Sequence, residues 1–128
     1  SLQIKPTSDE LALIKRTFAI LANAAVAQPQ VIVHRDYHSR NLMKVEGETD
    51  LGVIDFQDAV IGADTYDLIS ITRDAYVQWN ADRVYSWFKL FYDMLPEASK
   101  KDRDFDQFKK DADFMAIQRN FRYFCTFI

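Results

Sequence analysis

The stretch from Val31 to Asp64 constrains this 128-residue chain more than any other. It holds three short apolar runs: Val31-Ile32-Val33, Leu42-Met43-Lys44-Val45 and Leu51-Gly52-Val53-Ile54. β-Branched residues within them, and polar residues around them, mark them as short strands. The first reads as a buried strand. Glu46 to Asp50, with Gly47, form a hairpin turn between the second and third. Arg35 to Arg40 and Asp55 to Asp64 read as polar loops, and each leaves the end of a strand.

Helix fills the rest. Thr7 and Glu10 have the spacing of a capping box ahead of an apolar run. Leu11, Ile14, Phe18, Leu21 and Ala25 then recur at helical spacing, which predicts a helix over about 8–27, stopped by Gln28-Pro29. Further helices are predicted over about 65–79, over about 82–95 up to Pro96, and from about 106 to the end. A charged stretch, Glu97 to Asp104, separates the last two. The order of helix, strand, hairpin and three helices describes an α+β fold that is mainly helical. The chain is 48% hydrophobic, which suits one ordered domain with a real core. It starts almost at a helix and stops at the apolar Phe124-Cys125-Thr126-Phe127-Ile128 with no closing Gly, Asn or Pro. Both ends therefore read as cuts, and a fragment is expected.

Composition removes several classes of function. The chain carries 16 basic and 19 acidic residues, a net charge of −3, which argues against a nucleic-acid footprint. Cys125 is the single cysteine and cannot form an internal disulfide. No stretch has the pattern of a signal peptide, and no apolar run is long enough to span a bilayer. A soluble, cytoplasmic protein is expected.

The chemistry sits in the two loops. The first reads His34-Arg35-Asp36-Tyr37-His38-Ser39-Arg40-Asn41, and the second begins Asp55-Phe56-Gln57-Asp58. The hairpin returns the second loop beside the first, so Asp36, Asn41 and Asp55 are expected at one sheet end. Two carboxylates and an amide carbonyl are hard oxygen ligands of the kind that suit magnesium. Phosphoryl transfer uses such a set: one carboxylate takes the proton of an incoming hydroxyl, and the others hold metal on nucleotide phosphates.

His34-Arg35-Asp36, four residues and then Asn41 match the kinase pattern H-R-D-x-x-x-x-N, and Asp55-Phe56 matches the start of D-F-G. His34, Asp36, His38 and Asn41 also fit H-x-D-x-H-x-x-N. With Ile54 to Asp58 and Tyr66-Asp67-Leu68, they resemble the aminoglycoside phosphotransferase and choline kinase superfamily. Within it the text is most similar to bacterial anomeric kinases of N-acetylmuramate and N-acetylglucosamine, which serve cell-wall recycling. The resemblance covers nearly the whole chain. It implies the C-terminal, catalytic lobe of a two-lobed kinase, with residues 1–128 a partial lobe and the N-terminal nucleotide lobe absent. It implies Asp36 as catalytic base, Asn41 and Asp55 as Mg2+ ligands, and ATP and an amino sugar as partners. His34 and Asp67 are implied as supports of the catalytic loop, and Arg35, Arg40, His38 and Asp58 as candidate contacts to substrate or phosphate. Gln57 departs from the Gly of D-F-G and takes positive backbone angles less cheaply, which speaks against a flip of this loop. No Gly-rich phosphate loop and no strand lysine precede the catalytic loop, so the fragment alone is expected to bind ATP weakly and turn over little.

Plainer readings stand beside these. Asp36, Asn41 and Asp55 could be turn formers, Asp67 a helix-start carboxylate, and Arg35 and Arg40 surface charges. An aminoglycoside- or choline-type kinase uses the same motifs. A metal-dependent phosphoesterase could use His34, Asp36 and Asp55 instead. A truncated lobe could also persist as a non-catalytic binding module. Tyr66, Tyr76, Trp79, Tyr85, Trp87, Phe88, Phe91 and Tyr92 read as core packing, and Lys100 to Asp104 as a solvated loop. A missing lobe would leave apolar surface on the strand side, which predicts self-association.

Overall fold

The computed structural model describes residues 5–73 and 78–125. Helix α1, Ser8–Val26, opens on a complete capping box: the Thr7 hydroxyl accepts from the Glu10 amide, and the Glu10 carboxylate accepts from the Thr7 amide. The chain then forms β1 (Gln30–Val33), a 3-10 turn (Ser39–Asn41), β2 (Leu42–Lys44), β3 (Leu51–Val53) and β4 (Val60–Ala63). Helices α2 (Tyr66–Thr72), α3 (Ala81–Met94), α4 (Glu97–Lys100) and α5 (Phe105–Cys125) complete it. The mainly helical α+β reading holds.

The strands make two separate antiparallel pairs. β2 and β3 form the hairpin, with Leu42 opposite Val53, around a turn in which Gly47 takes a φ of +83°. β1 instead pairs with β4, Gln30 opposite Ala63 and Val33 opposite Val60. This corrects the reading of residues 55–64 as loop throughout. Val60 and Ile61 are the β-branched signal, and Gly62 gives β1 room: a Cβ there would come within 2.9 Å of Val33 Cγ2. The first strand is also less buried than expected. Only Val33 is enclosed, while Val31 and Ile32 are 38% and 77% exposed.

The helices differ in two respects as well. α2 ends at Thr72 with Arg73 as its C-cap, and Gln78 to Asn80 are not helical, so one helix over 65–79 is not formed. Residues 74–77, with Tyr76, lie outside the described residues, as do Thr126 to Ile128 and the end of the last helix. The charged stretch contains the short helix α4.

The core lies where α2, α3 and α5 meet. Leu68, Ile69, Val84, Phe88, Phe108, Ala112, Met115 and Ala116 are buried in it. Phe108 is its aromatic centre, stacked on Phe91 at 6.0 Å and edge-on to Phe88 at 6.5 Å. Of the aromatic section read as core, Phe88 is fully buried and Tyr66, Tyr85, Phe91 and Tyr92 pack against the core, but Trp79 is 41% exposed. α1 lies along α5, with Phe18 edge-on to Phe121 at 5.6 Å.

Arg103 is a further correction. The stretch from Lys100 to Asp104 is not simply solvated, because Arg103 is buried. Its guanidinium donates to both Asp64 oxygens, at 2.7 and 3.2 Å, and to Asp111 Oδ2 at 2.9 Å. Burial pushes the Asp64 carboxyl above its ordinary value, and the Arg103 guanidinium pulls it back. The ion pairs tie the end of β4 to α5.

Candidate active site

Three elements position the first polar loop. β1 delivers it, the 3-10 turn closes it, and α2 holds it from behind. His34 and Arg35 are the first residues past β1, and their backbone amides donate to one carboxylate: His34 N to Asp67 Oδ2 at 2.6 Å and Arg35 N to Asp67 Oδ1 at 3.0 Å. Asp67 sits in the first turn of α2 but caps nothing there. Its two oxygens serve a loop 32 and 33 residues away. At the other end of the loop, the Asp36 carbonyl accepts from the His38 amide at 3.0 Å and from Asn41 Nδ2 at 2.9 Å.

The second loop is joined to the first in three places. The Ile54 amide donates to the Asn41 carbonyl at 3.0 Å. His34 Nε2 lies 2.8 Å from the Ile54 carbonyl. A carbonyl only accepts, so Nε2 is the donor here; among the described residues the buried Nδ1 has no partner. Asn41 Nδ2 reaches Asp55 Oδ2 at 3.5 Å, a long contact that still sets the two side chains against each other. Asp36, Asn41 and Asp55 therefore converge at the ends of β1 and the hairpin, joined by the buried Asn41 side chain.

Both loops carry backbone strain at this point. Arg35 has a φ of +76° and Asp55 a φ of +67°, and neither is glycine. Such conformations cost of order 1–3 kcal/mol each and persist where the surroundings hold them. The positive angle of the second loop falls on Asp55 itself and not on Gln57, so the missing Gly of D-F-G is not needed at that position.

The oxygens face different tasks. The Asp36 carboxylate is exposed, and no described group donates to it. Asn41 spends its amide hydrogens on Asp36 and Asp55, which leaves Oδ1 without a described donor. Gln57 Nε2 donates to Asp55 Oδ1 and leaves Oδ2 beside Asn41. Among the described residues no three His, Cys, Asp or Glu side chains group closely enough to hold a metal alone. Asn41 Oδ1 and Asp55 Oδ2 are two hard oxygens, and magnesium commonly takes only one or two protein oxygens and completes its shell with water and phosphate. The donor set fits that ion.

The remaining candidates are less committed. Arg35 Nη1 turns back toward the Asp58 carbonyl at 3.5 Å, and Arg40 and Asp58 are exposed. No hydrogen bond joins the His38 ring or the Asp58 carboxylate to Asp36, Asn41 or Asp55; His38 Nδ1 is buried without a described partner. Two contacts of the site had no signal in the sequence reading. One is Gln57 on Asp55, read only as a departure. The other is Arg119 on α5, whose Nη1 donates to the Arg35 carbonyl at 3.3 Å from 84 residues away.

Two aspartates and an asparagine thus converge at the loops of a mainly helical fold with a short hairpin, and residues 3–99 match the model of the phosphotransferase enzyme family. The chain belongs to that family. It is 38% identical over 117 residues, 91% of its length, to an N-acetylmuramate/N-acetylglucosamine kinase of Pseudomonas putida, of which it covers 34%. Proteins of the same name from Pseudomonas aeruginosa and Neisseria meningitidis are 36% and 35% identical over 94% and 91% of the chain, and it covers 36% and 34% of them. The chain thus spans about a third of the length of these relatives.

Proposed function

We propose that this chain is the catalytic-lobe portion of an ATP- and Mg2+-dependent kinase that phosphorylates the anomeric hydroxyl of N-acetylmuramate or N-acetylglucosamine. The observation that carries it is the Asn41 amide, which spans the Asp36 backbone and the Asp55 carboxylate and so fixes a base and a metal ligand relative to each other. The names of the relatives support the sugar.

Asn41 Oδ1 and Asp55 Oδ2 would hold magnesium, which neutralises nucleotide phosphate charge when bound. The exposed Asp36 carboxylate accepts the proton of the sugar hydroxyl and aims that oxygen at the γ-phosphorus. The new P–O bond forms as the bond to the departing ADP oxygen breaks. Asp67 and His34 hold the loop in the geometry this requires. We place the part that covers the nucleotide outside these 128 residues, because the chain spans about a third of its relatives. The reaction therefore needs the full reading frame, and the work belongs in the cytoplasm, where ATP is available.

The test is phosphoryl transfer from ATP to each sugar by the full reading frame, read by 31P NMR and mass spectrometry of the sugar phosphate. Asp36→Asn should lower turnover by roughly 10²–10⁴ while the nucleotide still binds. Asp55→Ala should weaken binding of Mg2+ with ATP. Wild-type turnover in Asp36→Asn, or no transfer to either sugar, would refute the proposal.

A further inference from the structure

The geometry points to Arg119 as a positioning residue for the loop that carries Asp36; its kinetic consequence rests on the kinase reading above, its structural one does not. Arg35 is the strained residue immediately before Asp36, with a φ of +76°. A residue in that conformation persists where its surroundings hold it. One of its peptide groups is held from α2, where Asp67 Oδ1 takes the Arg35 amide at 3.0 Å. The other is the peptide that joins Arg35 to Asp36, and Arg119 Nη1 donates to its carbonyl oxygen at 3.3 Å. That oxygen and the Asp36 amide lie in one plane. Fixing the oxygen fixes the Asp36 N–Cα bond, and with the Asp36 carbonyl held by the His38 amide and Asn41 Nδ2 on the other side, the direction in which the Asp36 side chain leaves the backbone is set.

Arg119 is itself aimed. Its guanidinium lies over the Tyr66 ring, 4.6 Å from the centroid, and Tyr66 is the residue before Asp67. The first turn of α2 thus supplies an acceptor for one side of Arg35 and an aromatic platform for the group that holds the other. A planar cation can stack and donate at once, which an ammonium cannot do with the same direction. The half-buried Arg119 reaches no atom of Asp55 or Asn41 by any described hydrogen bond, so its action passes through the backbone of the Asp36 loop.

Arg119→Met, which keeps the aliphatic stem, and Arg119→Lys, which keeps the charge, test this. In the full reading frame, both should lower kcat by about ten- to a hundredfold, the cost of misplacing a reacting group. KM for sugar and nucleotide should stay within about twofold. In the 15N-labelled protein, the backbone amide resonances of Arg35 and Asp36 should shift, while those of the β2–β3 hairpin stay in place. Unchanged kcat, or unchanged Arg35 and Asp36 amides, would overturn the inference. If Arg119→Met does not fold, Arg119→Lys carries the same two readouts. If the wild-type protein transfers no phosphoryl group, the kinase reading falls, and the amide shifts alone still decide whether Arg119 holds this loop.

Discussion

Asp67 is the residue on which the loop geometry depends most directly. One carboxylate satisfies two consecutive backbone amides, and a charged acceptor makes these bonds stronger than neutral ones. Asp67→Asn keeps the shape but puts an N–H group opposite one of those donors. One amide then loses its partner, which costs about 1–3 kcal/mol where the group is shielded from water. The expected outcome is a lower urea midpoint with an unchanged slope, together with faster exchange at the His34 or Arg35 amide. The motif singled out Asp36, Asn41 and Asp55 because the phosphoryl transfer proposed for them needs those residue types at fixed spacing. It could not choose between capping and bracing for Asp67, since both use a carboxylate in the first turn of a helix. The choice depends on which backbone lies opposite.

Among the elements, α1 was the most legible, because its signals are local. The apolar positions recur every three to four residues, and the capping box lies within four residues of chain. Thr7→Ala should destabilise the folded chain by about 1 kcal/mol, read from thermal or denaturant unfolding. The hydrogen bonds from Thr7 hold the Glu10 carboxyl below its ordinary value. A carboxyl with a lowered folded pKa adds stability above its unfolded value, and that stability is lost as pH falls through the folded one. The substitution keeps the Thr7 backbone N–H, the larger of the two causes, and removes only the hydroxyl, so only that smaller part of the effect of Thr7→Ala should fade on acidification below about pH 4. β4 was missed for the opposite reason. Four residues, one of them glycine, do not stand out from a loop, and their strand character comes from pairing with β1, 30 residues earlier.

At the scale of the whole molecule, Arg103 ties the end of β4 to α5. It stands between Asp64 and Asp111, and its loss would leave both carboxylates without their shared cation. Arg103→Met is expected to cost about 3–5 kcal/mol, measured by urea unfolding at neutral pH. Burial already raises the Asp64 carboxyl, and the guanidinium is what lowers it. Without Arg103 the folded carboxyl binds its proton still more tightly, so the loss should be full at neutral pH and shrink as pH falls toward the ordinary aspartate range near 4. The other property of this scale is exposed apolar surface on the hairpin side. Met43 is 52% exposed, Leu51 57%, Ile54 44% and Phe56 67%. We propose that the isolated chain associates through this face. Sedimentation should show a mass that rises with concentration, and a clean monomer at high concentration would count against it.

The order of helices, the hairpin, the capping box and the contents of the two polar loops were decided within short windows of sequence, because periodicity, caps and motif spacing act over a few residues. The β1–β4 pairing, the burial of Arg103, the grip of Asp67 and the reach of Arg119 were decided only by the folded chain. Each joins residues roughly 30 to 84 positions apart, and its energy exists only after packing has removed water and set the partners face to face.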